Sequence, residues 1–349
     1  MSAAERLAAA LAAVPRARLA TLPTPLEPGP ALPGGARLLV KRDDLTGLGL
    51  GGNKARKLEF LCGAALADGA DTLVTVGAAQ SNHARMTAAA GAVLGLETHL
   101  VLGGFAVEDP SGNQLLSQMF GAQLHFAGTD SWDELSAALD AVVRDLRAAG
   151  RRPFAIPMGG STGLGALGFL AAWAELAAEC EAAGIAPAAI VHASSTGGTH
   201  GGLLAGRALW AAAGEPAPDI IAVDVAKDSA DLAGDALRLA AAALRAVGLE
   251  DVPVDPALAE LDDRWVGRAY AVPSEAGDEA VTWAARRGAW VLDRTYTGKG
   301  FAGLLGLARE GRFPRDSTVV FWHTGGFPAV FAPGGAVLND PIPETQEIA

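Results

Sequence analysis

The sequence predicts an α/β protein built on parallel sheets with helices on both faces. Two observations lead there. Short apolar runs rich in β-branched residues alternate along the chain with longer helical patterns, and glycine- and hydroxyl-rich clusters fall just after several of those runs. Length is the third: 349 residues give room for two domains, or one large domain with a sub-domain, and for a sizeable core.

Taken in order, Pro23-Thr24-Pro25-Leu26 leads into a strand at 37–42, then a glycine turn at Gly51-Gly52 and a helix opening at Lys54. Residues 71–77 form a continuous β-branched run, as a strand buried on both faces should, and Ser81 caps a helix reaching about Leu94. Strands follow at 99–103, 122–126 and 154–158, separated by helices near 114–120 and 132–148. Further strands at 189–193, 220–225 and 318–322 alternate with helices beginning near Thr199, Asp231, Ser274 and Gly298. There is no internal repeat, low-complexity tail or long linker.

Composition narrows the function classes. Net charge is −12, with no Lys/Arg block and no aromatic-basic interleaving, so nucleic acid and anionic membrane are poor partners and a small molecule is the expected one. The first twenty residues mix charges among alanines and lack the apolar region of a signal peptide, and no stretch reads as long and apolar enough to span a bilayer. Cys62 and Cys180 sit in helical patterns without metal-ligand spacing, as reduced, inert thiols, which fits a cytoplasmic protein; no metal is expected.

The chemistry gathers at strand ends, where ligands bind in such sheets. In Gly51-Gly52-Asn53-Lys54-Ala55-Arg56-Lys57, Lys54 falls in the first turn of a helix. The helix dipole and the neighbouring cations Arg56 and Lys57 both disfavour its ammonium form. An amine that is neutral part of the time can form a Schiff base; the alternative is a surface lysine on a charged helix end. Gln80-Ser81-Asn82-His83 opens another helix, whose free N–H groups at Asn82 and His83 suit a carboxylate while the Asn82 amide can reach a phenolic oxygen. Ser195-Thr196-Gly197-Gly198-Thr199 makes a nest of N–H donors suited to one phosphate group. It lacks the lysine of a nucleotide P-loop, and a purely structural glycine turn stays open. Tyr270 and Tyr296, the two tyrosines of the chain, both precede helices, as core residues or as phenols facing a pocket, and Thr324 follows the last strand.

The motifs GGNKARKLE, QSNHAR, SSTGGT, DRTYTGKG and WHTGG, in this order, resemble the pyridoxal-phosphate-dependent family of D-cysteine desulfhydrases and 1-aminocyclopropane-1-carboxylate deaminases over nearly the whole chain. The resemblance implies the tryptophan-synthase β-like fold, fold type II. Residues 1–53 and 166–349 would form the larger, cofactor-holding domain and 54–165 a smaller mobile one, in a homodimer. It implies pyridoxal 5'-phosphate on Lys54, Asn82 beside the cofactor phenol, Ser81, Asn82 and His83 at the substrate carboxylate, and Ser195 to Thr199 at the phosphate. Tyr296 and Tyr270 would be catalytic phenols, Ser81 a further catalytic group, and Thr324 the partner of the pyridine nitrogen. Thr297 and His83 stand where the deaminases of this family carry glutamate and glutamine, which looks like the desulfhydrase branch. Thr162-Gly163 and Ala271 depart from the pattern common in that branch.

The expected reaction is β-elimination from D-cysteine to pyruvate, ammonia and sulfide, with Lys54 or a tyrosinate taking the α-proton. A sulfo-lyase acting on L-cysteate is the nearest alternative, drawing on Arg294 or Lys299 for the sulfonate, and a deaminase of the cyclopropane amino acid is another. Two readings fall outside this chemistry. Gly159-Gly160-Ser161-Thr162-Gly163 with Asp293 and His323 mimics the order of an α/β-hydrolase triad, and a non-catalytic amino-acid sensor would keep the same pocket.

Overall fold

The computed structural model describes residues 1–226 and 231–337. Along the chain come α1 (Ala3–Leu11), β1 (Leu26–Pro28), β2 (Arg37–Arg42), α2 (Lys54–Ala67), β3 (Thr72–Gly77), α3 (Asn82–Leu94), β4 (Glu97–Leu102) and α4 (Gly112–Met119). Next are β5 (Gln123–Phe126), α5 (Trp132–Ala148), β6 (Pro153–Ile156), α6 (Gly163–Ala183), β7 (Pro187–Ser194), α7 (Gly198–Ala212), β8 (Asp219–Asp224) and α8 (Leu232–Ala246). The run closes with β9 (Glu260–Asp262), α9 (Glu275–Gly288), α10 (Thr297–Arg309) and β10 (Thr318–His323).

The strands form two sheets, one of six in the order β1-β2-β10-β7-β8-β9 and one of four in the order β5-β4-β3-β6. Among the described residues all pairings are parallel except the edge pair β1–β2, which is antiparallel, so the first sheet is mixed rather than wholly parallel.

Strand alternation assigns each side chain to a layer. In β10, Val320 and Trp322 join Ile190 of β7 and Ile220 of β8 in a core shared with α6, α7 and α8. The intervening Val319 and Phe321 join Val191 and Ile221 in a second core with α9 and α10. In the four-stranded sheet, Val74 and Val76 face Leu135 and Leu139 of α5, while Leu73 turns to the opposite layer with Ala55 and Leu58 of α2. Both faces of both sheets are therefore covered, which is why the central strands carry nearly unbroken apolar runs.

Helix α6 corrects one expectation. Its 21 residues are long and apolar enough, by length and composition, to cross a bilayer. Here Phe169, Leu170, Trp173 and Leu176 on it are buried against β7, β10 and α7. Thr162 caps it by accepting from the Gly165 N–H at 3.0 Å, and Gly184 ends it in a left-handed turn, so the unusual Thr162-Gly163 pair is a helix start.

Two polar clusters fix α2. Arg56 bonds Asp43 and Glu175, and Lys41 pairs with Glu175 and Glu179, joining α2, β2 and α6. On another side of the helix, buried Glu59 accepts from Arg16 and from the Leu19 and Ala20 N–H groups at 3.0 Å each, strapping that segment across α2.

Candidate active site

The carboxyl ends of β3, β7 and β10 and the start of α2 converge on one pocket between the two sheets. Every site residue expected from the sequence lines it: Lys54, Ser81, Asn82, His83, Ser195 to Thr199, Tyr270, Tyr296 and Thr324. Local geometry explains the convergence. Gly51 has φ 76°, and a Cβ there would lie 1.9 Å from the Asp44 carbonyl oxygen, so the turn demands glycine. The next residues are tied to the site, because the Asn53 N–H donates to the Thr324 carbonyl at 2.9 Å and its side-chain amide donates to Thr199 Oγ1 at 3.0 Å. Asn53 thus gives up its capping role on α2 and ties Lys54 to the ends of β7 and β10.

Lys54 Nζ donates to Asn53 Oδ1 at 3.2 Å. Enclosed by protein although still open to the cleft, the amine has its pKa lowered from 10.5 to about 8, first by burial and then by the positive charge of Arg85, against a weaker pull from Asp293. The causes differ from those the sequence suggested. Arg56 is neutralised by Asp43 and Glu175. Arg85, buried four residues into α3, does the electrostatic work instead. It donates to the Gly49 and Gly51 carbonyls, to Asn113 Oδ1 and to Asn82 Oδ1.

Asn82 Oδ1 also accepts from Asn113 Nδ2 at 3.1 Å, which commits the carbonyl end of its amide to these partners and leaves the NH2 end as a donor for another group. Ser81 spends its hydroxyl as acceptor for the Ala84 N–H at 3.1 Å. The His83 ring lies 3.0 Å from Thr75 Oγ1, which itself donates to the Ile156 carbonyl. The ring therefore carries its hydrogen on Nε2, and Nδ1 is a buried acceptor without a partner among the described residues. Burial and the nearby lysines push its pKa well below the usual histidine value, so the ring is neutral.

At the glycine-rich cup, Gly197 at φ 72° starts α7 and Thr196 Oγ1 meets Ser161 Oγ at 2.7 Å. Lys57, one turn beyond Lys54, reaches Gly159 O at 3.1 Å and Ser161 Oγ at 3.3 Å. A Cβ on Gly198 would lie 2.6 Å from both Lys57 Nζ and Ser161 Oγ, so glycine keeps this space open. Lys57 is fully buried, and burial followed by repulsion from Lys54 pushes its pKa well down; among the described residues no carboxylate contributes. A buried amine without a carboxylate partner, beside the glycine-rich start of α7, suits an anion. The residues present fit a phosphorylated cofactor.

Across the pocket, the Tyr270 and Tyr296 hydroxyls hydrogen-bond each other, their rings edge-on with centroids 6.0 Å apart. Asp293 sets the loop that carries Tyr296. Its carboxylate accepts from the N–H groups of Thr295, Tyr296 and Thr297 and from the Thr297 hydroxyl. Thr297 is thus buried in a loop lock. Ala271 keeps φ 56° next to Tyr270, a left-handed conformation that costs alanine about 1–2 kcal/mol where glycine would be at ease.

The hydrolase constellation does not assemble. Ser161 bonds Thr196 and Lys57, Asp293 is spent on its own loop, and His323 Nδ1 accepts from the Gly325 N–H. Nor do the two extra cations enter the pocket: Arg294 is held by Asp278 and the Gly334 carbonyl, and Lys299 donates to Ala269 O at 3.0 Å. Sequence reasoning gave Lys57 only an electrostatic effect on Lys54 and assigned no site role to Arg85, Asn113 or Trp132. The i, i+3 spacing from Lys54 could have flagged Lys57; nothing local could have flagged Trp132, which enters from the far sheet.

Parallel strands that deliver a buried amine of lowered pKa and a glycine-rich cup to one cleft fit an α/β enzyme with a phosphorylated cofactor. The chain belongs to the pyridoxal-phosphate dependent enzyme family, which it matches over residues 17–325. It is 40% identical over 327 residues to the D-cysteine desulfhydrase of Klebsiella pneumoniae subsp. pneumoniae, covering 91% of this chain and 96% of that one. Among solved structures, an ACC deaminase homologue superposes with a TM-score of 0.85 at 35% identity, over 94% of this chain and 97% of that one. A threonine deaminase from T.th. shares the fold at a TM-score of 0.60 and 23% identity, over 92% and 97% of the two chains. These neighbours place the chain in fold type II, as its motifs predict.

Proposed function

We propose that this protein is a D-cysteine desulfhydrase, in which Lys54 carries the cofactor and D-cysteine is converted to pyruvate, ammonia and sulfide. The observation that carries the reading is the amine of pKa about 8 in the same pocket as an anion cup and a hydrogen-bonded pair of phenols. The 40% identical relative bears that activity's name. Pyridoxal phosphate, when bound, supplies an electron sink for the pair left behind at the substrate α-carbon.

The chain's own groups do the rest. Lys57, Ser161 and the N–H groups of 196–199 hold the phosphate, Asn82 donates to the cofactor phenol, and Thr324 offers the ring nitrogen an uncharged hydroxyl. Ser81 and the N–H groups of Asn82 and His83 hold the substrate carboxylate at the positive end of α3. Lys54 in its neutral form takes the α-proton, and the Tyr270–Tyr296 pair holds a proton for the departing sulfur. A thiol needs no cation at its far end, whereas a sulfonate does. Arg294 and Lys299 are engaged elsewhere, which favours D-cysteine over cysteate. We also propose that 54–165 moves against 1–53 with 166–349 on substrate binding. A cytoplasmic location accords with the free, buried Cys62 and Cys180, and a homodimer follows from the resemblance, to be tested by light scattering.

The test is turnover of D-cysteine, L-cysteate and 1-aminocyclopropane-1-carboxylate by the purified holoprotein. Sulfide and pyruvate in equal amounts from D-cysteine are expected, with a loss of about 10²–10⁴-fold in kcat for Tyr296→Phe. Sulfite from cysteate, or 2-oxobutyrate from the cyclopropane compound, with no sulfide from D-cysteine would overturn the assignment; an unaffected Tyr296→Phe would overturn the role of the phenol.

A further inference from the structure

One wall of the pocket is not explained by the cofactor, the carboxylate site or the proton pair. Trp132 is the first residue of α5, on the four-stranded side, and lines the pocket that holds Lys54. Its indole is anchored, because it packs against the core formed by Val74, Val76, Leu135 and Leu139. Across the cleft it meets the ring of Tyr270 edge-on, with centroids 6.1 Å apart and planes at 65°. Tyr270 in turn stands edge-on to Tyr296. Three aromatic rings therefore run in a row from one sheet's layer to the other's, ending at the hydroxyl pair.

We propose that Trp132 determines which amino-acid side chain the pocket accepts. The indole closes the space beyond the substrate β-carbon, limiting the leaving group to a small one, and it backs the Tyr270 ring so that the phenol pair stays aimed at the leaving atom. Two features support this over a purely structural role. The ring is held rigidly from behind by the sheet core, as a size limit must be, and its front meets a residue of the opposite half. The contact thus spans the cleft, joining the α5 side to the side that carries Tyr270 and Tyr296. Pocket walls of this kind discriminate by about 10–200-fold per added or missing group of methylene size.

The proposal rests on the desulfhydrase reading, and one experiment separates the two. Wild-type holoprotein, Trp132→Ala and Trp132→Phe are assayed for pyruvate release from D-cysteine and from S-methyl- and S-ethyl-D-cysteine, with the cofactor's visible absorbance confirming a loaded, folded protein. Wild type should use D-cysteine and discriminate against the thioethers. Trp132→Ala should raise the ratio of kcat/KM for S-methyl-D-cysteine to that for D-cysteine by about ten-fold or more. It should also lower kcat for D-cysteine, because Tyr270 has lost its backing; Trp132→Phe should fall between on both counts. An unchanged ratio in both variants, with wild type active, overturns the role of Trp132 and leaves the desulfhydrase intact. If Trp132→Ala does not load cofactor, an unchanged ratio in Trp132→Phe decides alone. Wild type inactive on D-cysteine overturns the desulfhydrase reading itself.

Discussion

Lys54 shows how far a single residue can be read. Its place after a glycine turn at a helix start is enough to mark it as a reactive amine, yet the reason its pKa falls is tertiary. Burial dominates, and the charge that adds to it is Arg85, which arrives from α3. Cofactor-free protein should therefore recombine with pyridoxal phosphate at a rate that climbs as pH rises through about 8, since the neutral amine is the attacking form. Arg85→Gln should move that midpoint upward, because removing a neighbouring positive charge favours the ammonium. Stopped-flow absorbance across pH 6–11, in ~0.5-unit steps, gives both curves, and a wild-type midpoint near that of free lysine would refute the assignment. Trp132 escaped the sequence because what makes it matter is a neighbour more than a hundred residues away, whereas the spacing of Lys57 from Lys54 left a local trace.

At the scale of elements, short continuous apolar runs and caps carried most of the information. Helix α5 spans 132–148 as expected, and the central strands differ from expectation by one or two residues at their ends. The three-residue edge strands β1 and β9 were not legible, because neither is long enough to show a period, and β1 ends in proline. The pairing of strands into two separate sheets also lies outside local pattern. The cup between β7 and α7 depends on one missing methyl group. Gly198→Ala would drive a carbon to 2.6 Å from Lys57 Nζ and Ser161 Oγ. We expect weaker cofactor retention by about ten-fold or more, read by equilibrium dialysis, with a change in melting temperature of the cofactor-free protein far smaller than the change in the holoprotein. Equal losses in both forms would mean the glycine serves packing rather than the phosphate.

Over the whole molecule, charge is distributed against the average. The chain carries a net −12, but the cleft gathers Lys54, Lys57 and Arg85. Burial lowers the pKa of all three, and an anion bound beside them would favour their charged forms again. The helix that bears two of those cations is held from behind by Glu59, whose carboxylate collects Arg16 and the N–H groups of Leu19 and Ala20. Glu59→Ala should cost about 1–3 kcal/mol of stability in urea titrations, because the Leu19 and Ala20 N–H groups lose their acceptor while the exposed Arg16 regains water, without changing the midpoint of the Lys54 pH curve in protein that remains folded. A loss below about 1 kcal/mol would show that the strap is ornamental.

That strap also hands the chain on from α1, whose Ala3 and Leu7 are buried in the core shared with α6 and α7. A single cut between α1 and Leu19 would touch nothing in the pocket, yet it would loosen the tie on a buried carboxylate five residues along the helix from Lys54, so damage far from the cleft would be felt as a slackening of its floor.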